Sequence, residues 1–357
     1  MKITDLKMEV IHIPMKHTFK VAFAEIDEST SVIVKISTDE GICGYGEAAP
    51  FAPVTGESVE GVMAALKLFR QGLVGMDPMD IEGIHTMMDK VMAHNTSAKC
   101  AVDIAVYDIL GKAMGQPLYK VLGGSCGTVE NDFTIGIDTP ENMVKESLEY
   151  VNAGFRILKV KAGINPEEDL RALAMIREAV GPHIRLRVDA NQGYDVPTAV
   201  DTLQKMVPIG IEAVEQCLPY WDVEGSVWIK NHVNGIKIMV DESLHSPHDA
   251  FDICKRGAAD IMNIKLMKCG GLYPALKINA IGEAAGVTCM VGCMLETKIA
   301  ITAGISLVAA RNNITEADCD SFLYSKDPEM GMPGGFTFNG SNFTLSEKPG
   351  LGLELDF

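Results

Sequence analysis

The sequence predicts an α/β fold in which a closed barrel of parallel strands follows a smaller α+β domain. After Gly123-Gly124, apolar strand-like runs alternate strictly with helix-like stretches, and eight such units are present. This alternation is typical of parallel sheets covered by helices. The chain has 357 residues, enough for one barrel of about 250 residues and a second, smaller domain. An open, doubly wound sheet is the structural alternative.

The smaller domain is predicted to comprise residues 1–120. Residues 2–14 and 30–48 are rich in Val and Ile, and the turn Asp39-Glu40-Gly41 predicts a hairpin between two of its strands. Helices are then expected, the last of which ends at Gly115 and Pro117. Strands followed by helices are typical of an α+β domain. The predicted helices cover residues 57–70, 78–93 and 97–114.

The barrel is predicted to comprise residues 121–325. Residues 326–357 are rich in Gly and Pro and predict a C-terminal segment that returns to the first domain. Because the carboxyl ends of barrel strands meet at one rim, polar residues at those ends are expected to face a common point. The predicted strands are Phe133–Ile137, Ile157–Lys161, Ile184–Asp189, Ala213–Glu215, Ile238–Asp241, Ile261–Lys265, Thr288–Gly292 and a short strand before Asp318.

Three carboxylates end successive strands of this predicted barrel. Asp189, Glu215 and Asp241 follow one another at equal intervals of 26 residues, and each closes a short apolar run. Acidic groups that converge on one point repel each other unless a cation lies between them. Oxygen ligands of this kind favour a hard divalent cation, and Mg²⁺ is the one we expect.

Lysines flank the carboxylates on both sides. Lys159 and Lys161 end the second predicted strand and lie on one face of it, since side chains alternate along a strand. Two neighbouring ammonium groups disfavour each other's charge, which predicts a lysine pKa lowered toward that of a working base. Lys265 ends the sixth strand, on the opposite side of a closed barrel. The alternative interpretation is that these are surface lysines at strand ends.

These residue types predict a reaction class. A carboxylate substrate held by the cation has an acidified α-proton, and its removal gives an enediolate. If one lysine removes the proton and the other returns one from the opposite face, the carbon is inverted. If a leaving group lies next to that carbon, the same intermediate eliminates it.

The motifs that carry this chemistry resemble the enolase superfamily, muconate-lactonizing-enzyme subgroup. They are Lys159-x-Lys161, VDAN, VEQ, VDES, NIKLMKCGG and the segment KCAVDIAVYDILGKAMGQPLYKVLGG, and the resemblance covers nearly the whole chain. It implies an α+β capping domain, a modified TIM barrel of the (β/α)₇β type, and one Mg²⁺ per subunit. It further implies that Asp189, Glu215 and Asp241 are metal ligands, that Lys161 and Lys265 are the acid/base pair, that Lys159 steadies the enolate, and that Asn191 and Glu242 support the metal ligands.

The eighth strand end narrows the resemblance to the dipeptide epimerases. It reads TEADCDSF, which places Asp318 and Asp320 on one face. A carboxylate pair away from the metal suits an α-ammonium group, and the dipeptide epimerases hold the substrate N-terminus with such a signature. The alternative is that one of the two aspartates caps a helix. Further candidates for substrate contact are Phe19, Thr134, Met294 and Glu296.

The resemblance therefore implies a Mg²⁺-dependent dipeptide epimerase that inverts the α-carbon of the C-terminal residue by two-lysine 1,1-proton transfer. Ala–Glu epimerases carry an arginine in the N-terminal loop, whereas here Ala24 takes that place and Lys20 is the only cation nearby. Glu25, Asp27 and Glu28 make the loop acidic. We expect the second side chain to be hydrophobic or cationic rather than Glu.

Other functions remain open at this point. One is a racemase or dehydratase of the same superfamily acting on an amino-acid or imino-acid carboxylate, such as a hydroxyproline dehydratase. Another is a catalytically silent binding protein, which would be expected to lack a lysine or a metal ligand. Dehydration of acid sugars by a His–Asp pair is disfavoured because Lys265 occupies the sixth strand end. Enzymes of this subgroup usually have a proline directly after the glutamine, whereas here Gln216 is followed by Cys217-Leu218-Pro219.

Composition limits the partners. The net charge of −17 argues against nucleic acid and anionic membranes, which need a basic face. The N-terminus has no continuous apolar core of a signal peptide, and no run of about 18 apolar residues is present. The nine cysteines lie in a chain too long to need disulfides, which predicts a reduced, cytoplasmic protein. The resemblance makes a homo-oligomer the expected assembly.

Overall fold

The structure is a computed structural model that describes residues 1–21 and 24–355, with the side chains of residues 17, 19–21 and 24 left aside. It consists of an N-terminal capping domain and an eight-stranded parallel barrel. The predicted fold class is confirmed. Separate clusters of buried apolar side chains fill the capping domain and the space between the barrel strands and their outer helices.

The capping domain starts with a three-stranded antiparallel sheet. Its strands are β1 (Ile3–Val21), β2 (Ala24–Thr38) and β3 (Cys43–Ala48). β1 is longer than the sequence predicted, because it continues to pair with β2 beyond an irregularity that follows Pro14. The helices that follow are α1 (Ala52–Thr55), α2 (Val59–Leu73), α3 (Ile81–Val91), α4 (Thr96–Met114) and α5 (Leu118–Val121).

The barrel follows a short strand, β4 (Thr128–Glu130), and its strands lie in the order of the sequence. They are β5 (Phe133–Ile135), β6 (Ile157–Lys161), β7 (Arg185–Asp189), β8 (Ile211–Glu215), β9 (Lys237–Val240), β10 (Ile261–Lys265), β11 (Thr288–Gly292) and β12 (Ile314–Asp318). The N–H of Asp132, just before β5, donates to the carbonyl of Ala317 on β12 at 3.2 Å. The two outer strands therefore meet, and the open sheet is excluded.

Helices follow the barrel strands and, with one exception, cover the outside of the barrel. They are α6 (Pro140–Asn152), α7 (Pro166–Val180), α8 (Val196–Met206), α9 (Val223–His232), α10 (Pro247–Arg256), α11 (Leu266–Cys269), α12 (Leu272–Ala285) and α13 (Lys298–Ala310). The exception is the short α11, which lies at the rim beneath the capping domain. Several begin with a capping side chain followed by proline: Thr139 caps α6, Asn165 caps α7 and Ser246 caps α10. The cap accepts a bond from a free N–H, and proline needs no partner at the first helical position.

The C-terminal segment leaves the barrel after β12 and reaches the capping domain. Its hairpin, β13 (Phe336–Asn339) and β14 (Asn342–Leu345), pairs with β4. Further on, the N–H of Leu351 donates to Asp108 of α4 at 2.8 Å, and the Tyr45 hydroxyl donates to the carbonyl of Leu355 at 3.2 Å. Among the described residues, no helix is both long and apolar enough to span a membrane.

Strand β3 packs against α4 with almost no space between the two backbones. A Cβ atom added at Gly46 would lie 1.8 Å from the carbonyl oxygen of Ala101, and one added at Gly44 would lie 2.0 Å from that of Ala105. Gly44 and Gly46 have no side chain and therefore permit this close approach of the two backbones. Packing against α4 thus explains why glycine occurs on both sides of Tyr45.

We expect Gly46→Ala to destabilise the protein by about 3 kcal/mol, because overpacking against a rigid helix backbone forces β3 and α4 apart. Urea unfolding followed by circular dichroism measures the change. Gly61→Ala is the matched control, since its added methyl meets only the Ser58 hydroxyl at 3.6 Å and alanine favours a helix. Equal stabilities of the two variants would contradict the packing argument.

Candidate functional site

Three carboxylates converge at the carboxyl-terminal rim of the barrel. Asp189 ends β7, Glu215 ends β8 and Asp241 directly follows β9. Each offers an oxygen atom within 4.8 Å of the oxygens of the other two, and all three side chains are buried. The structure therefore brings together the three acids that the sequence spacing singled out.

Lysines approach these carboxylates from two sides. Lys161 on β6 donates to Asp189 at 2.6 Å, and Lys265 on β10 lies 2.8 Å from Asp241. Three strands separate β6 from β10 in an eight-stranded barrel, so the two ammonium groups enter from opposite sides of the rim. Both side chains are buried, which excludes the interpretation that they are surface lysines.

Lys159 lies at the centre of the acidic groups. Its ammonium nitrogen is 2.5 Å from Asp318, 3.1 Å from Glu215 and 3.3 Å from Asp189. Burial alone would lower the pKa of Lys159, but the surrounding carboxylates outweigh burial and raise its pKa well above the ordinary value. Lys159 therefore keeps its positive charge among these acids, as a group that steadies negative charge must.

The charge balance of the rim fits a divalent cation. Burial and the nearby Asp189 raise the pKa of Glu215 to about 7. Burial and the neighbouring acids therefore disfavour the ionised form of Glu215, and a cation bound beside it would favour that form. Within the part of the chain that the structure describes, Oε2 of Glu242 and Oδ1 of Asn191 are buried and have no hydrogen-bond partner. An all-oxygen donor set with unsatisfied oxygens beside it is the environment that Mg²⁺ prefers.

Asn191 and Glu242, for which the resemblance implied a role in supporting the metal ligands, lie beside the acids at the rim. The N–H of Asn191 donates to Oδ1 of Asp189 at 2.9 Å, and its side-chain amide lies 3.5 Å from Glu242. Burial and the charge of Asp241 raise the pKa of Glu242 to about 7.

Sequence reasoning missed three side chains that hold the carboxylates in place. The buried ammonium of Lys268 donates to Oδ1 of Asp241 at 2.5 Å and to the carbonyl of the same residue. Asn263 donates to Glu215 at 2.6 Å, and the side-chain oxygen of Gln216 accepts from the N–H of Asp241 at 2.9 Å. Asn263 could have been found, since it lies two residues before Lys265 on the same face of β10. Lys268 also lies in the motif NIKLMKCGG, but the motif alone gives it no role.

The predicted ammonium site lies at the end of β12. Asp320 begins a 3₁₀ turn, Ser321–Tyr324, but its side chain makes no capping bond. Its Oδ2 accepts instead from the N–H of Thr134 at 2.8 Å and from the Tyr324 hydroxyl at 2.7 Å. Asp318 accepts from Thr134 Oγ1 at 3.3 Å. Helix capping therefore does not explain the Asp-x-Asp pair.

The pKa values of this pair point in opposite directions. For Asp318, burial raises the pKa but Lys159, Lys265 and Lys161 outweigh it, so the pKa is lowered. For Asp320, burial and the charge of Asp318 raise the pKa. A cationic group bound between the two would relieve the repulsion that raises the pKa of Asp320.

A cavity of about 490 Å³ connects these groups to the capping domain. Thr134 and Met294, two of the residues proposed for substrate contact, line it. Glu296 does not: its carboxylate turns back to accept from the N–H of Met294 at 2.9 Å, so the structure gives it a supporting contact behind the cavity wall. The side chain of Phe19 lies outside the described residues. From the capping domain come Glu25, Asp27, Glu28, Phe51, Val54 and Val59.

Positive charge in the cavity is confined to the rim. Of the described side chains that line it, the cations are Lys159, Lys161 and Lys265, and each of them contacts a buried carboxylate. The arrangement can therefore bind a carboxylate with a metal ion, place an amine on each side of the adjacent carbon, and hold an ammonium group at the Asp318–Asp320 pair.

Comparisons with known proteins give one consistent family. Residues 6–123 match the family described as "Mandelate racemase / muconate lactonizing enzyme, N-terminal domain". Residues 142–357 match the family described as "Enolase C-terminal domain-like". It is 43% identical to a hydrophobic dipeptide epimerase of Enterococcus faecalis over 356 residues, which cover 99% of each chain. It is 42% identical to an L-Ala-D/L-Glu epimerase of Clostridium acetobutylicum over 358 residues, again 99% of each.

A solved structure agrees with the sequence matches. The dipeptide epimerase of Enterococcus faecalis, complexed with Mg and the dipeptide L-Leu-L-Tyr, superposes with a TM-score of 0.96 at 43% identity and covers 99% of this chain and 100% of its own. The two curated relatives differ in the substrates that their names give, although their identities to this chain are nearly equal. Overall similarity therefore does not fix the substrate side chain.

We expect Lys268→Met to destabilise the protein by about 3–5 kcal/mol, because it leaves the buried carboxylate of Asp241 without one of its two cations. Urea unfolding in the presence of EDTA measures this effect without compensation by bound metal. Lys205→Met is the control, since Lys205 forms an exposed pair with Asp201 and its loss should change stability by less than about 0.5 kcal/mol. A similar change in both variants would contradict a role for Lys268 in holding Asp241.

Proposed function

The chain belongs to the family of mandelate racemase and muconate lactonizing enzyme, with an enolase-like C-terminal domain, and we propose that it is a Mg²⁺-dependent dipeptide epimerase. The observation that carries this proposal is the placement of Lys161 and Lys265 on opposite sides of three convergent carboxylates. The Asp318–Asp320 pair then supplies a separate site for an ammonium group. Two amines that reach opposite faces of one carbon are what inversion of that carbon requires.

Each group at the rim has a role in this proposal. Asp189, Glu215 and Asp241 would hold Mg²⁺, which when bound attracts the substrate carboxylate and makes the adjacent α-proton more acidic. Lys159, pinned between Asp318 and Glu215, adds fixed positive charge beside the carboxylate that carries the developing negative charge.

Lys161 and Lys265 would exchange roles with the direction of the reaction. One must be uncharged to take the α-proton, while the other must be charged to return a proton to the opposite face. Because the two lysines lie at the ends of different strands, the substrate carbon need not turn over between the two steps. The result is 1,1-proton transfer with inversion at the second residue of the dipeptide.

The capping-domain wall supports a hydrophobic or cationic second residue. A Glu side chain would face Glu25, Asp27 and Glu28, and the described cations of the cavity already contact carboxylates at the rim. Phe51, Val54 and Val59 offer apolar contact instead, so a hydrophobic side chain, or the apolar stem of a lysine or arginine, fits this wall.

The subunit assembly and the cellular location of the protein are part of the same proposal. We propose a homo-oligomer, supported by large apolar side chains exposed on neighbouring elements: Trp221 before α9 is 70% exposed and Phe251 on α10 is 61% exposed. Exposed apolar surface of this kind marks protein contacts. All nine cysteines are free thiols, which supports a reducing, cytoplasmic environment.

We expect the purified enzyme to incorporate deuterium from D₂O at the α-carbon of the second residue of a dipeptide, and to do so fastest for hydrophobic or cationic second residues. A library that includes L-Leu-L-Tyr, L-Ala-L-Lys and L-Ala-L-Glu, followed by mass spectrometry, measures exchange and preference together. EDTA should abolish exchange, and added Mg²⁺ should restore it, because the carboxylates cannot hold the substrate without the metal.

Two results would contradict the proposal. Water loss from hydroxyproline, with all dipeptides inert, would select a dehydratase on the same scaffold. Absence of exchange with every dipeptide and amino acid, despite Mg²⁺ binding measured by calorimetry, would indicate a silent binding protein. A preference for L-Ala-L-Glu would leave the reaction intact and overturn the preference argued from the cavity wall.

We expect Lys161→Ala and Lys265→Ala each to lower the rate of epimerisation by roughly 100- to 10,000-fold, the contribution of a general acid or base. Each variant retains one lysine and should therefore exchange at most one of the two epimers, and the two variants should differ in which epimer this is. Deuterium incorporation from the LL and LD dipeptides, measured separately, tests this. Lys205→Ala serves as the surface control. A variant that exchanges both epimers at the wild-type rate would exclude its lysine from the reaction.

A further inference from the structure

We propose that Glu47 of the capping domain is a positioning residue for the substrate cavity, because it anchors the loop between β11 and α13 that forms one wall of that cavity. Glu47 lies on β3, away from the metal ligands, and takes no part in the proton transfer described above. The inference rests on the proposed function for its kinetic test, and a second measurement below does not depend on that function.

Glu47 accepts four hydrogen bonds, one from within the capping domain and three from the barrel domain. Its Oε1 accepts from the Ser31 hydroxyl at 2.7 Å and from the N–H of Thr297 at 2.8 Å. Its Oε2 accepts from the Thr297 hydroxyl at 2.6 Å and from the N–H of Ala300 at 3.1 Å. Thr297 and Ala300 belong to the first turn of α13, so a capping-domain carboxylate completes the N-terminus of a barrel helix.

The four bonds favour an ionised carboxylate and partly offset burial, which raises the pKa of Glu47 above its ordinary value. Each oxygen receives one backbone N–H and one hydroxyl, and the side chain is fully buried. A glutamine of the same shape would turn an N–H₂ group toward one of the two backbone N–H groups, and two donors cannot bond to each other. The Glu47→Gln variant therefore loses a bond to Thr297 or Ala300 while nearly keeping its volume.

The contacts of Glu47 continue into the cavity wall. Glu296, next to Thr297, accepts from the N–H of Met294 at 2.9 Å and so fixes the turn that places Cys293, Met294 and Leu295 along the cavity. The N–H of Glu296 also donates to the Ser321 hydroxyl at 3.1 Å, and that hydroxyl donates back to the carbonyl of Glu296.

Ser321 directly follows Asp320, the end of the proposed ammonium site. A shift of the α13 N-terminus would therefore move both the apolar wall around Met294 and the loop that carries Asp320. By contrast, the two lysines and the three carboxylates lie at the ends of β6 to β10, outside this chain of contacts. The contacts that would place the substrate are therefore made by other residues than those that would transfer the proton.

We expect Glu47→Gln to raise KM for L-Leu-L-Tyr by about tenfold or more, the effect of losing one hydrogen bond to a charged group, while kcat stays within about threefold of the wild-type value. Amide hydrogen exchange of peptides that cover residues 293–300 should become faster in the same variant. Thr297→Val removes the hydroxyl that donates to Glu47 and should also raise KM. Thr297→Ser keeps a hydroxyl at this position, and its KM should therefore stay close to the wild-type value.

Asp108→Asn is the matched control. Asp108 is a buried capping-domain carboxylate that accepts from the N–H of Tyr45, on the same strand as Glu47, and from Lys112 and Leu351. It does not contact the 293–297 loop. This variant should lower thermal stability without changing KM by more than about twofold.

The outcomes separate the alternatives. Unchanged KM and unchanged exchange of residues 293–300 in both Glu47→Gln and Thr297→Val would overturn the proposal, as would an equal rise of KM in Asp108→Asn. If the wild-type enzyme exchanges no dipeptide, the proposed function fails, and the hydrogen-exchange comparison of these variants still decides the role of Glu47. If Glu47→Gln does not fold, the Thr297 pair decides both readouts.

Discussion

The concentration of buried negative charge at the barrel rim governs the rest of the site. Asp189, Glu215 and Asp241 lie within a few ångströms of one another with almost no access to water, and in such an environment like charges cannot all remain ionised without cations. Lysines from β6, β10 and α11 supply part of that positive charge. The same carboxylates would hold Mg²⁺, which would supply the rest of the positive charge, so the metal ion and the lysines share one set of acidic partners.

The capping domain is tied to the barrel by buried carboxylates at helix N-termini rather than by apolar packing alone. Glu47 accepts from the first turn of α13, and Asp103 on α4 accepts from the N–H groups of Leu272 and Tyr273 at the start of α12, at 2.5 and 3.1 Å. Backbone N–H groups at a helix start have no partner within the helix, so these bonds have a defined direction. They hold the capping domain in one orientation over the rim.

Much of this architecture could be predicted because the barrel repeats one local pattern. The predicted bounds Ile157–Lys161 and Ile261–Lys265 are those of the structure, since a buried strand followed by a capped helix leaves a strong local signal. Lys268 and Gln216 could not be predicted as supports of Asp241, because their contacts depend on how short turns bring sequence-distant groups together. The same holds for Glu47, which lies 250 residues from Thr297 in the sequence.

Reaction and substrate choice are therefore encoded in different parts of the chain. The groups that could move a proton stand on strand ends whose spacing is set by the barrel hydrogen bonds, and a strand cannot slip without turning every side chain to the other face. The wall proposed to meet the substrate side chain comes from β2, α1 and α2 of the capping domain and from the 293–295 turn. The acidic residues Glu25, Asp27 and Glu28, which the sequence placed in a loop, lie on β2, and none of these segments belongs to the barrel strands that carry the lysines and the metal-site carboxylates. This division explains how relatives of nearly equal identity carry names with different dipeptides, and it makes the contacts between the domains, rather than the rim itself, the place where specificity can change.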